Sequence, residues 1–289
     1  MSNYTDGYWW SPDGLRLHYR DYAGGEDGRP PLLCLPGLTR NARDFEPLAG
    51  RLGGPWRLIC PDMRGRAESA QAKDPMSYVP LTYLQDISRL LADLAIPRFV
   101  AIGTSLGGVI TMLIAATHRE WLAGGLLNDV GPTLEEAGLA RIRTYVGVGQ
   151  SHPSWVHAAR ALEEANRDIY PAYGLEQWLA MAHRLYRLNN AGRIVLDYDM
   201  RIAEPLRVAG SEAGVDMWPV MQAFRGIPTL ILRGERSDLL SDATAARMAQ
   251  EIGPDADYAI IPNVGHTPVL DEPASVFAVD RLLNRVLNG

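Results

Sequence analysis

Residues 98–118 read RFVAIGTSLGGVITMLIAATH and change character halfway. Arg98 to Ile102 carries β-favouring bulk with no turn residue, which predicts a strand. Val109 to Ala116 places Leu and Ala at helical spacing, which predicts a helix. Between them Gly103-Thr104-Ser105-Leu106-Gly107-Gly108 must reverse the chain within a few residues. So sharp a turn strains its central residue and crowds the positions two away on either side. Glycine at 103 and 107 relieves that crowding because it has no Cβ. The result is exposure: Ser105 Oγ stands clear of a sheet edge above a helix N-terminus, the G-x-S-x-G nucleophile elbow. A plain Gly/Ser turn that holds an anion is the competing reading. No Lys follows the glycines, however, and no dinucleotide-type glycine pattern occurs.

Outward from this stretch, strands and helices alternate. GYWWS, a Pro-Asp-Gly turn and LRLHYRDY predict a hairpin. PPLLCLPG, WRLICPD and LAGGLLNDVGP read as strands, with DFEPLAGRL and LTYLQDISRLLADLAI as helices. Continuous apolar strands between amphipathic helices predict an α/β fold, a mostly parallel central sheet flanked by helices. From 131 to 224 the rhythm becomes helical and rich in large aromatics, which reads as an inserted helical lid. Strand–helix alternation then resumes with TLILRGERSD, DATAARMAQEI, ADYAIIPNVGH and PASVFAVDRLLNRVL. Residues 1–130 and 225–289 are therefore expected to form one core domain, and 131–224 the insertion.

The chain has 289 residues, 47% hydrophobic and 21% charged, enough for a large core. A net charge of −6 argues against nucleic acid or an anionic membrane as the main partner. The opening MSNYTDGYWWSPDG has neither a basic start nor an apolar run, and no segment is long and apolar enough to span a bilayer. Cys34 and Cys60 sit in apolar strand-like runs and read as buried thiols. A cytoplasmic, reducing location is the expectation, and no cysteine or histidine spacing suggests a metal.

An exposed serine needs a base to take its proton and a third group to orient the base. In α/β sheets these come from loops at the carboxyl ends of strands, which share one edge. Of six histidines, only His266 follows an apolar strand and precedes a terminal helix. His18 falls in a hairpin strand, and His118, His152, His157 and His183 fall at helical positions, where a solvated or packed histidine is expected. For the acid, Asp238 and Asp129 both follow strands. Asp238 has the added feature of a Gly-containing turn before it. The backbone N–H of Leu106, at the helix start, and that of Leu38, in the Pro-Gly loop after LLCL, are the candidate oxyanion donors. Arg40, two residues further on, has two uses: pairing with a substrate carboxylate, or with Asp44 or Asp62 to hold the loop. Tyr145, Trp155, Trp178 and Trp218 are the aromatic candidates for the substrate pocket.

LCLPGLTRN, CPDMRGRAES, IGTSLGG, LRGERSD and NVGHTP together resemble the α/β-hydrolase superfamily, in its order and over nearly the whole chain. The resemblance implies the α/β-hydrolase fold with a helical lid and a Ser105, Asp238, His266 triad, since the superfamily's chain order places the acid between serine and histidine. It departs from the usual pattern twice, with Pro36 where the oxyanion loop usually has His, and Ala67 where the RGxGxS turn usually has Gly. The implied function is a serine hydrolase cleaving a small carboxylic ester or lactone through an acyl-enzyme, without cofactor or metal. Two alternatives accompany it: carbon–carbon bond hydrolysis of vinylogous diketone ring-cleavage products, and a ligand receptor of hydrolase fold. The expected partner is a small-molecule substrate, and self-association into a homo-oligomer stays open.

Overall fold

The computed structural model describes residues 4–25, 27–208 and 216–289. Strands β1 (Thr5–Trp10) and β2 (Arg16–Tyr22) form the expected hairpin. There follow β3 (Leu32–Leu35), α1 (Glu46–Leu52), β4 (Leu58–Asp62), α2 (Pro80–Asp93), β5 (Phe99–Thr104), α3 (Leu106–Thr117) and β6 (Leu122–Asn128). The insertion carries α4 (Glu136–Tyr145), β7 (Ser151–His152), α5 (Trp155–Asn166), α6 (Leu175–Leu185), β8 (Tyr186–Leu188) and β9 (Ile194–Leu196). The chain closes with β10 (Thr229–Gly234), α7 (Asp242–Ile252), β11 (Ala256–Ile261) and α8 (Pro273–Asn288).

Eight strands form one sheet in the order β1-β2-β4-β3-β5-β6-β10-β11. Only the β1–β2 and β2–β4 pairs are antiparallel. Helical crossovers cover both faces, so each central strand is buried on both sides and reads as an unbroken apolar run. In β5, Phe99 and Ala101 pack into one core with α2, α3 and α7. Val100 and Ile102 pack on the opposite face with α1 and α8. The stripe Ser275, Ala278, Val279, Leu282 and Leu283 on α8 repeats three and four apart, which turns one apolar helix face onto the sheet. Cys34 and Cys60 are free and buried in that second core.

The insertion differs from the all-helical expectation. β7, β9 and β8 pair as a small antiparallel sheet, so His152 lies in a strand. Strands of two or three residues are too short to show alternation, which is why periodicity missed them. Residues 209–215 of the expected lid lie outside the described residues. Ala158, Ala159 and Leu162 of α5, with Trp178, Met181 and Ala182 of α6, join the core that contains α1 and α8. Among the described residues no helix is long and apolar enough to cross a membrane.

Because β3, β5, β6, β10 and β11 run parallel, their carboxyl ends share one edge of the sheet. The loops carrying Leu38, Ser105, Asp129, Asp238 and His266 all leave from that edge.

Candidate active site

Ser105 stands between β5 and α3 with φ 51° and ψ −113°, a conformation L-residues rarely take. Local sterics force it. A Cβ on Gly103 would lie 2.5 Å from Thr111 Oγ1, and one on Gly107 would lie 2.0 Å from the Leu35 carbonyl oxygen. The Ser105 N–H donates to the Asn128 carbonyl at 3.0 Å, and its carbonyl accepts from Gly108 and Val109. The strained turn is thereby locked between β6 and the first turn of α3.

Ser105 Oγ is 2.9 Å from His266 Nε2, and His266 Nδ1 is 2.7 Å from Asp129 Oδ2. The serine and histidine meet as the sequence suggests, but the carboxylate is Asp129, which corrects the assignment of Asp238. Asp129 is fully buried, and its backbone turns left-handed at φ 56° directly after β6. Oδ1 accepts the Gly234 N–H at 2.9 Å, and Oδ2 also accepts the Ser237 hydroxyl at 2.6 Å. The β10 loop therefore holds the acid in place and does not supply it. Asp238 instead pairs with Arg141 of α4 through two hydrogen bonds, of 2.5 and 2.8 Å. That guanidinium holds the Asp238 carboxyl below the usual carboxylate range. Chain order cannot tell the two aspartates apart, because the preference is set by an arginine about a hundred residues away in the insertion.

Asn128, unmarked in the sequence reading, joins three parts of the site. Its carbonyl holds the elbow, and its side-chain amide donates to Thr104 Oγ1 at 3.1 Å and to the Pro268 carbonyl at 2.9 Å. The other histidines lie elsewhere. His18, in β2, is buried between Asp62, 2.6 Å from Nδ1, and Asp6, 2.9 Å from Nε2.

On the other side of the serine, the loop after β3 carries Leu38. Its carbonyl accepts Arg66 Nε at 2.9 Å and Nη2 at 2.8 Å. Arg66 is itself buried, and its Nη1 donates to the Arg64 carbonyl at 2.6 Å and the Tyr83 hydroxyl at 3.0 Å. Leu106 is the first residue of α3, so its N–H has no acceptor within the helix. Ala67, which replaces the customary glycine, still adopts a left-handed φ of 43°. Its N–H donates to the Asp197 carbonyl at 3.0 Å. The loop keeps a glycine-like shape at the cost of an alanine in a strained conformation.

A cavity of about 290 Å³ opens beside Ser105 and His266. The β3 loop forms one wall, and Tyr145, Leu162, Met181, Leu185 and Leu196 of the insertion form another. Arg40 and Tyr145 border it as expected, but Trp155, Trp178 and Trp218 do not. Trp155 packs on the His183 ring with 4.0 Å between centroids, and Trp178 is core, 1% exposed. Trp218 donates to Thr133 Oγ1 and lies 3.6 Å beneath the Arg247 guanidinium. Their size makes them useful for packing the insertion together, which sequence spacing does not separate from lining a pocket. Arg40 takes the local pairing, donating to Asp44 from Nε at 2.5 Å and from Nη2 at 2.6 Å. Arg184 of α6 and Tyr170 also border the cavity without having been singled out. Among the described residues no group of three or more His, Cys, Asp or Glu side chains is arranged to hold a metal ion.

Known proteins resemble this chain over most of its length. A structure described as an α/β hydrolase from Novosphingobium aromaticivorans is 55% identical, covers 99% of each chain and superposes with a TM-score of 0.94. A 3-hydroxybutyrate-oligomer hydrolase of Cupriavidus necator is 33% identical over 92% of each chain. A 2-(acetamidomethylene)succinate hydrolase of Mesorhizobium japonicum is 26% identical over 87% of this chain and 85% of its own. Residues 32–279 match the alpha/beta hydrolase family. With an elbow serine at the end of a parallel strand and relatives matching over nearly their full length, the chain belongs to the α/β hydrolase family.

Proposed function

We propose that the protein is a serine hydrolase of carboxylic esters, with Ser105, His266 and Asp129 as its triad. The observation that carries the reading is the unbroken line of hydrogen bonds from Ser105 Oγ through His266 to Asp129, opening on a cavity. Ser105 Oγ attacks the ester carbonyl while His266 Nε2 takes its proton. Asp129 keeps the Nδ1–H directed at itself and stabilises the imidazolium that forms. The oxyanion accepts hydrogen bonds from the N–H groups of Leu106 and Leu38, where fixed donors act most strongly on developing charge. Collapse expels the alcohol, which takes the proton from His266. Water, activated by the same imidazole, then releases the acid from Ser105.

Residues 131–224 act in this reading as the lid, because α4, α5 and α6 supply much of the cavity wall. The Cupriavidus necator relative, a 3-hydroxybutyrate-oligomer hydrolase, supports an ester over other acyl substrates, since hydroxybutyrate units in an oligomer are joined by ester bonds. Carbon–carbon hydrolysis would use the same three side chains and separates from ester cleavage by substrate alone. The test is a fluorophosphonate probe with a panel of aryl esters, lactones and ring-cleavage diketones. Ser105 should carry the adduct, and Ser105→Ala should lose both labelling and ester turnover. Labelling at another serine, or a single burst without turnover on every substrate, would remove the proposal.

A further inference from the structure

The positive charges around the cavity outnumber the carboxylates that meet them. Arg40, Arg141 and Arg184 all border it. Arg141 is matched by Asp238. Asp44 must then serve both remaining arginines, yet both of its oxygens accept from Arg40. Arg184 Nε approaches Asp44 Oδ1 only to 3.8 Å, beyond hydrogen-bond reach. Its Nε is buried with no hydrogen-bond partner, and the residue is 9% exposed. Among the described residues no hydrogen bond from the Arg184 guanidinium is made.

The backbone that carries this guanidinium is also held in place. The Arg184 carbonyl, in the last turn of α6, accepts from Asn41 Nδ2 at 2.9 Å and from Arg43 Nε at 3.2 Å. These donors come from the chain just after the β3 loop, so the arginine is tied to that wall. Arg40 is close to the nucleophile, since a Cβ on Gly37 would touch Arg40 Cγ at 3.3 Å and Ser105 Cβ at 3.7 Å, and Arg184 lines the same cavity as Ser105. A buried donor group lacking an acceptor is unfavourable, and one net positive charge beside apolar Leu162, Met181 and Leu185 asks for a single anion. The planar fork of an arginine suits a carboxylate in particular.

We infer that Arg184, with Arg40 beside it, binds a carboxylate of the substrate, so that the ester cleaved at Ser105 carries a free acid group a few bonds from the scissile carbonyl. The inference rests on the hydrolase reading above and sets the substrate class for that site.

The test compares the mono-4-nitrophenyl esters of succinate, glutarate and adipate with the methyl esters of the same compounds, following nitrophenol release. The wild type should favour at least one free acid over its methyl ester by about tenfold or more in kcat/KM, equivalent to ~1.4 kcal/mol. Arg184→Gln should lower that ratio by about tenfold, and Arg184→Lys, which keeps the charge but not the fork, should retain only part of it. A wild-type ratio near one for all three acids, or a ratio unaltered by Arg184→Gln, overturns the inference and leaves the hydrolase reading standing. Should Arg184→Gln fail to fold, inhibition of the wild type by glutarate but not by glutaramide supports the inference, and equal or absent inhibition overturns it. Should no ester be cleaved and Ser105 resist the fluorophosphonate, the hydrolase reading fails by itself. Calorimetric titration of Ser105→Ala with succinate, glutarate and adipate then decides the carboxylate site: binding that Arg184→Gln abolishes supports it, and no binding overturns it.

Discussion

The Ser237 hydroxyl donates to Asp129 Oδ2 at 2.6 Å, the oxygen that also meets His266 Nδ1 at 2.7 Å. One residue further along the β10 loop, Asp238 faces the opposite way, toward Arg141. Two loops thus cooperate in one acid: β6 supplies the carboxylate, and β10 supplies the hydroxyl and the Gly234 N–H that hold it. The Asp238–Arg141 pair is about one-third exposed on both sides, so it adds little to stability, ~1 kcal/mol at most.

Exchanging the two aspartates for asparagine separates their roles. Asp129→Asn should lower kcat by roughly a thousandfold or more while the protein stays folded, because the imidazole loses its orienting anion. Asp238→Asn should keep kcat within about threefold of wild type, since only a part-exposed ion pair is lost. Steady-state kinetics with circular dichroism on both variants checks this. An active Asp129→Asn beside a dead Asp238→Asn would reverse the assignment.

Arg66 is expected to act on turnover through the Leu38 carbonyl that it grips with two hydrogen bonds. Arg66→Met should cut kcat by about ten- to a hundredfold with little change in KM, as expected when an oxyanion donor is displaced. Arg66→Lys should recover part of the loss. A fall in melting temperature with kcat intact would make Arg66 a packing residue only.

Ala67 holds a left-handed φ of 43° that costs an L-residue ~1 kcal/mol and glycine almost nothing. Ala67→Gly should therefore raise stability by up to about 0.6 kcal/mol, or ~1 °C in Tm, after the larger unfolded-state entropy of glycine is subtracted. Denaturant titration measures the change. Destabilisation would mean that the alanine methyl contributes more by packing than its backbone loses by strain.

The histidine in β2 should make stability depend on pH. Burial alone would lower its pKa, but the hydrogen bond and charge of Asp62, with those of Asp6, outweigh it and raise the pKa above 6.5. The stabilisation is fully present below the unfolded value of 6.5 and fades as pH rises through the higher folded value. The melting-temperature gap between wild type and His18→Asn should accordingly shrink from pH 6 toward pH 9. A gap that stays constant or widens would contradict the sign.

The elbow was legible in the sequence because it is a local event. Gly103 answers to Thr111 and Gly107 a few residues on, and Gly107 answers to Leu35 on the adjoining strand, a neighbour that the parallel sheet supplies. The mostly parallel sheet was legible for a related reason: burial on both faces writes itself as unbroken apolar runs such as Phe99–Ile102. His266 could be chosen because only one histidine follows such a run. The acid could not. Asp129 and Asp238 both end strands on one edge, and their difference lies in which way each carboxylate turns. That direction is set by Ser237 and Gly234 on one side and by Arg141 of the insertion on the other. The Arg184 guanidinium, which makes no hydrogen bond among the described residues, was hidden in the same way, since its state depends on Asp44 already accepting from Arg40. Backbone sterics and strand burial act over short sequence distances and leave periodic traces. Charge pairing acts across space between residues far apart in the chain, so tertiary structure alone decided which acid meets the histidine and which arginine lacks a hydrogen bond.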